Sequence, residues 1–250
     1  MADPSRGMDE KGSEAEAYFG RDLEAMSNAV NYRSWVLEEF SPFLGRSGAE
    51  VGAGSGSFSE VLATSGLSRL VACEPSPNMY ELLERRFRDD AVVETRQARL
   101  TEIAHLYREQ FDSVVYVNVL EHVEDDLGEL RTARQTLAPG GHLLLFVPAH
   151  QALYSRFDRE CGHFRRYGRK ELEQVVQRAG FAIRKAKYLD LPGAFLWYLF
   201  FVLLKGPLTG GRVLAYDRLA IPTIRRLENV IHPPFGKNLL LVAEKKRNND

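Results

Sequence analysis

Between Gly48 and Pro148 the chain alternates short apolar or β-branched runs, at 49–52, 69–74, 91–95, 111–117 and 141–148, with helix-like stretches at 57–65, 77–88, about 101–108 and 124–137. Strand–helix alternation at this interval specifies a parallel sheet with helices on both faces. The runs are continuously apolar, as strands covered on both sides require. Further strands are expected at 181–189 and 238–244, the first after a helix over Lys170–Ala179 that Gly180 closes. The expected architecture is α/β: a doubly wound, mostly parallel, seven-stranded sheet.

The flanks are different in kind. Residues 1–12 are polar and aperiodic and are expected to form a disordered tail, whereas apolar residues from Ser13 to about Leu44 fall at helical spacing and predict two N-terminal helices. No Pro- or Ser-rich linker divides the rest, so 13–250 is expected to be a single domain. Within it, about 190–235 separates the last two strands and is too long for a plain connection, which predicts a helical cap. Ala194–Leu204 (AFLWYLFFVLL) carries eleven residues without a charge, short of the about 20 that a spanning helix needs. Such a run must be buried all round or meet something greasy. The simplest expectation is a cap packed on the N-terminal helices. The wall of a lipophilic pocket, a dimer interface and a peripheral membrane contact stay open beside it.

With 33 basic and 34 acidic residues the formal charge is −1, so no bulk field draws in nucleic acid. Two cysteines, Cys73 and Cys161, make no disulfide framework, and no secretory signal is recognisable, which points to the cytoplasm.

The chemistry concentrates at strand ends. Glu50-Val-Gly52-Ala53-Gly54-Ser-Gly56 follows the first strand directly. Glycines there let the backbone turn sharply and approach a ligand, ahead of the N–H groups of the following helix. The spacing is G-x-G-x-G, not the G-x-G-x-x-G of a dinucleotide site. Strand two ends in Glu74-Pro75, 24 residues after Glu50, where a carboxylate can accept both hydroxyls of a ribose.

Together with FDSVVYVNVLEHVEDD (111–126) and LAPGGHLLLFVPA (137–149), these residues resemble the successive motifs of class I, Rossmann-like S-adenosylmethionine-dependent methyltransferases, in particular a bacterial small-molecule branch. The resemblance covers about 31–190. It implies S-adenosylmethionine as cofactor, with Glu50 anchoring the methionine amino group through the loop, Gly52, Ala53, Gly54 and Gly56 forming the turn, and Glu74 with Pro75 at the ribose. Asn118, Val119 and Leu120 would then lie along the methionine end, and Tyr32 would close over the carboxylate. An acid often follows strand three in the family. Here Gln97-Ala98-Arg99-Leu100 has none, so the adenine is expected to rest on backbone and apolar contacts around Ala98.

Two histidines are candidates for catalysis. His122, in Leu120-Glu121-His122 at the end of strand four, could take a proton from an acceptor; equally, the Glu-His pair could cap the next helix. His163 lies in a GH-x-RRY segment that resembles one found after strand five in the same bacterial branch. Arg165, Arg166 and Tyr167 of that segment are candidate substrate contacts, since guanidinium groups suit carboxylates and phosphates. An ordinary solvated loop is the alternative. No metal-ligand spacing is present, and no metal is expected. The implied reaction is methyl transfer to an O or N of a small-molecule acceptor, lipophilic or anionic. The rivals are a noncatalytic cofactor-binding or interaction module and a nicotinamide-dependent oxidoreductase.

Overall fold

The computed structural model describes residues 29–206 and 209–247. The expected tail and the first N-terminal helix lie outside the described residues. Helix α1 (Val30–Phe40) leads into β1 (Ser47–Val51), α2 (Ser57–Ala63), β2 (Arg69–Cys73), α3 (Pro77–Phe87), β3 (Val93–Arg96), α4 (Leu100–Ile103) and β4 (Phe111–Val117). Then follow α5 (Asp126–Thr136), β5 (Leu137–Pro148), α6 (Arg156–Glu160), α7 (Arg169–Arg178), β6 (Phe181–Leu189), α8 (Leu191–Trp197), α9 (Gly210–Leu219), α10 (Ile221–Glu228) and β7 (Asn238–Lys245).

The strands form one sheet in the order β3-β2-β1-β4-β5-β7-β6. Strands β1 to β5 pair in parallel, and β7 runs antiparallel between β5 and β6. The expected seven-stranded, mostly parallel sheet is what forms. The helix foreseen over about 101–108 is only one turn, continued by a 3-10 turn at Ala104–Leu106.

The period of two is visible in β5. Leu143 and Leu145 join one apolar layer, with Leu130 and Ala133 of α5 and Leu172 and Val176 of α7. Leu144 and Phe146 join the other, with Trp35 and Phe40 of α1, Leu62 of α2 and Leu83 of α3. All of these side chains are fully buried, and each Leu, Val and Phe among them is worth about 1.5–3 kcal/mol over exposure. Both faces are therefore covered, and ligands have access only at the strand ends.

The segment between β6 and β7 forms the cap. It opens at Asp190, whose φ is +66° and whose side chain accepts from Gly193 N at 3.0 Å. A Cβ on Gly193 would stand 2.1 Å from Asp190 Oδ2, so this turn requires glycine. Helices α9 and α10 pack on α1. The apolar run takes another place. Trp197 and Phe201 pack on Phe157 of α6, with ring centroids 5.5 and 5.9 Å apart. After Trp197 the helix loosens into a π-helical turn over Tyr198–Leu203. Among the described residues the inner face of this run walls a cavity, shared with Ala29 and Tyr32, and its outer face is exposed; the expected packing on the first N-terminal helix falls on residues outside those described. No helix among the described residues is long and apolar enough to cross a membrane.

Candidate active site

Every residue the sequence assigned to the cofactor, Tyr32 apart, sits just at or beyond the carboxyl end of a strand. Glu50 is in β1 and Gly52, Ala53, Gly54 and Gly56 follow it; Glu74 and Pro75 follow β2, Ala98 follows β3, and Asn118, Val119 and Leu120 follow β4. Because β1 lies between β2 and β4, these ends converge on one edge, at the point where strand order reverses.

Gly52, Gly54 and Gly56 all have positive φ, at 68°, 57° and 83°. A Cβ on Gly52 would come within 2.6 Å of Val119, and one on Gly56 within 2.6 Å of Phe87. Glu74 is buried, its Oε2 accepting from Gly54 N and its Oε1 from Ser76 N, each at 2.8 Å. That uses two of about four lone-pair sites on a carboxylate and leaves the others for hydroxyl donors. Glu50 is buried beside it and accepts from Ser59 Oγ. Burial pushes the Glu50 carboxyl up to about 8, with the Ser59 hydrogen bond pulling down and the Glu74 charge pushing up. A buried carboxyl of this kind is a ready partner for an ammonium group. A glycine cradle, a carboxylate with spare acceptors and a second one awaiting a cation fit S-adenosylmethionine.

Next to this edge a cavity of about 410 Å³ reaches from Tyr32 and Asn118 to the cap. Leu196, Trp197, Phe200, Phe201, Val213 and Phe157 make most of its wall apolar. Tyr32 is buried, donates to Asn238 Oδ1 at 3.1 Å and lies 4.8 Å from Lys237 Nζ. Lys237 in turn pairs with Asp190 at 3.1 Å.

One corner of the cavity is polar. His163 Nδ1 is 3.0 Å from Asp158 Oδ1, and Arg166 Nε donates to the same oxygen at 2.7 Å. Burial would raise the Asp158 carboxyl, but His163, Arg166 and Ser155 more than offset it and hold it at about 2. Asp158 is therefore ionised and can only accept, which puts the proton on His163 Nδ1 and leaves Nε2 as the basic nitrogen. Glu121 lines the same corner. It is fully buried, neither carboxylate oxygen has a hydrogen-bond partner among the described residues, and burial pushes it up to about 7, opposed by His163.

The remaining candidates from the sequence surround this corner. His122 does not line the cavity; its ring meets that of His163 edge-on at 4.5 Å. Nor do Glu121 and His122 cap α5, because Asp125 does so by accepting from Gly128 N. Arg165 is tied to Asp126 Oδ2 at 2.9 Å and to the Glu124 carbonyl at 2.8 Å, and Tyr167 donates to Asp126 Oδ2 at 2.9 Å. Both brace the exit of β4 and neither lines the cavity. Only Arg166 of the three does, stacked 4.6 Å from the Trp197 ring. The sequence offers Glu121 only as part of a helix-cap pair, and marks neither Asp158 nor Lys237. A ligand atom from each of Glu121, His122 and His163 lies within 4.8 Å of the others, close enough together to hold a metal ion.

Comparison with known proteins bears on the same region. A family model described as a methyltransferase domain matches residues 26–186. A ubiquinone biosynthesis O-methyltransferase of Acinetobacter baylyi is 27% identical over 111 residues, 44% of this chain and 47% of the relative. One from a Methylobacterium species is 31% identical over 100 residues, 40% of each chain. The chain thus spans about half the length of the curated relatives it matches. A methyltransferase from Archaeoglobus fulgidus, described as SAM-dependent, superposes with a TM-score of 0.62 at 16% identity, covering 91% of this chain and 98% of that one. The phosphoethanolamine N-methyltransferase 2 of Haemonchus contortus, solved with S-adenosyl-L-methionine, gives 0.59 at 17% identity, covering 88% of this chain and 53% of its own. With nearly two thirds of its length inside the family model and the sheet and glycine edge described above, the chain belongs to the methyltransferase domain family, the class I S-adenosylmethionine-dependent methyltransferases.

Proposed function

We propose that this chain transfers a methyl group from S-adenosylmethionine to the hydroxyl oxygen of an apolar small molecule held under the cap, with His163 as the base. The observation that carries this is the cavity that joins Asn118 and Tyr32, beside the glycine edge, to His163 locked on Asp158. A noncatalytic module would leave no open pocket beside Asn118. The glycine turn, G-x-G-x-G in spacing, also argues against a nicotinamide enzyme.

Bound in this cradle, the cofactor supplies a methyl group already activated on a sulfonium. Gly52, Ala53, Gly54 and Gly56 hold it by close backbone approach, Glu50 meets its amino group, Glu74 its ribose, and Ala98 packs near the adenine. Tyr32, Asn118, Val119 and Leu120 fix the end from which the methyl leaves. The protein must then align the attack and exclude water, which the aromatic cap favours. The hydroxyl proton passes to His163 Nε2 as the C–O bond forms, and the imidazolium is stabilised by Asp158 at Nδ1 and by the nearby Glu121. The products are the methyl ether and a neutral thioether. An oxygen acceptor is favoured because the curated relatives are named O-methyltransferases. Arg166, already within 2.7 Å of Asp158, supplies positive charge to this corner, so we read Glu121 and the histidines as proton-handling groups rather than metal ligands. Cys73 and Cys161 form no disulfide, in keeping with work in the cytoplasm.

His163→Ala should lower kcat by roughly 10²–10⁴-fold while leaving S-adenosylhomocysteine affinity unchanged by calorimetry. Turnover of the native enzyme should survive chelator. Equal loss of cofactor affinity would make His163 structural, and inactivation by chelator would turn the Glu121 corner into a metal centre.

A further inference from the structure

The outer face of the cap has no use in the reaction. Of the fifteen large apolar side chains exposed among the described residues, eleven lie between 191 and 235. Phe195, Leu199 and Leu203 recur every fourth residue and form a stripe along one side of the helix, 43–60% exposed. Phe235 packs edge-on against Phe195 at 5.5 Å and joins this stripe to the segment carrying Val230 and Ile231, which are 81% and 67% exposed. A soluble surface does not concentrate apolar area in this way without a partner.

The charges of the cap select the partner. Lys205, Arg212, Arg218, Arg225 and Arg226 all reach solvent, and only Arg225 is in an ion pair, with Glu38, among the described residues. All three acidic residues of the cap, Asp190, Asp217 and Glu228, are buried. Asp217 is 2% exposed and accepts from the backbone of Asn31 and Tyr32, while Glu228 is 5% exposed and accepts from the backbone of Asp190 and Leu191. A chain of net charge −1 thus carries a cap whose described residues expose apolar side chains and cations but no carboxylate of the cap's own. A second copy would set the same cations against one another across a two-fold axis. Anionic headgroups above acyl chains complement both features.

We propose that the cap docks on an anionic lipid surface, with the Phe195–Leu203 stripe in the acyl boundary and the basic residues among the headgroups. The other side of the same helix walls the cavity through Leu196, Trp197 and Phe200, so an acceptor dissolved in the lipid has the shortest path to the site. That last step rests on the acceptor reading above; the docking does not.

The full chain should co-float with phosphatidylcholine vesicles containing phosphatidylglycerol and not with pure phosphatidylcholine. Leu199→Ser/Leu203→Ser and, separately, Arg218→Glu/Arg226→Glu should each weaken this by about tenfold or more. None of these residues lines the cavity, so S-adenosylhomocysteine binding should be unchanged and report intact folding. Failure to bind anionic vesicles, or binding indifferent to both variants, overturns the proposal. So does a dimer in sedimentation that Leu199→Ser/Leu203→Ser dissociates, since the stripe would then be covered by a second copy. His163→Ala should still float. If it floats and the native chain methylates no lipid-dissolved phenol, the reaction reading fails and the docking stands.

Discussion

The glycine edge and the cap bound the same cavity but are held by different kinds of contact. At the edge, backbone meets side chain at distances that leave no room for a Cβ, and the Glu74 carboxylate binds the backbone N–H groups of Gly54 in the turn and of Ser76 beside it. The cap is held at long range, by Asp217 on α1, by Glu228 on the end of β6, and by Asp190 accepting from Tyr216 Oη. The first arrangement fixes a ligand's position from conformation alone. The second joins a cover to the sheet by side-chain contacts far apart in sequence, over Ile221 and Ile224 buried in the core.

The largest expected effect is at the edge. Gly52→Val should remove detectable S-adenosylhomocysteine binding and cost about 2–5 kcal/mol in denaturant unfolding, from a left-handed φ plus a clash with Val119. Full binding in this variant would break the comparison outright. Asp217→Ala comes next. It leaves the N–H groups of Asn31 and Tyr32 without their acceptor, a loss of about 1–3 kcal/mol. Hydrogen exchange should rise across 209–231 while 47–148 stays protected and cofactor affinity holds. A uniform rise would mean that cap and sheet unfold together.

A third effect depends on pH. The Glu50 carboxyl is raised from the ordinary 4.5 to about 8 in the folded chain, so between those values the native state keeps a proton that the unfolded state has released. Its contribution to stability is present below about pH 4.5 and is lost as pH rises toward 8. Glu50→Gln should therefore match the native chain near pH 5 in Tm and exceed it near pH 8. Burial also raises Glu74, Glu121, Glu129 and Glu228, so part of the slope should remain. A slope unchanged in the variant would remove Glu50 from the titration.

The same contrast explains what the sequence reveals. Strands β1 to β5, the glycine turn and the acid after β2 are local patterns, readable because a period of two or a required positive φ leaves its mark within a few residues. The polar corner is not local. Beyond β4 the chain passes through Asn118 at φ +53° into a 3-10 turn, and strand alternation no longer tells which of Glu121 and His122 faces inward. Asp158 sits in a stretch whose composition suggests a solvated loop. Lys237 and Tyr216 matter only because the cap folds back on β7 and α1, contacts that no spacing announces.

Arg165 and Arg166 place the boundary between the two regions within a single peptide bond, and the smallest expected effect tests it. Arg166 is fully buried, bonded to Asp158 and stacked on Trp197 of the cap, so it belongs to the cavity. Arg165 is half-exposed and bonded to Asp126 and the Glu124 carbonyl, both on the β4 exit. Solvent screens such a pair, and Tyr167 continues to hold Asp126 when the guanidinium is gone. Arg165→Ala should therefore cost only about 0–1 kcal/mol and leave both the acceptor's KM and cofactor affinity as they were. A raised acceptor KM in this variant would mean that the substrate extends past the β4 exit, and the cavity boundary drawn at Arg166 would have to move outward by one residue.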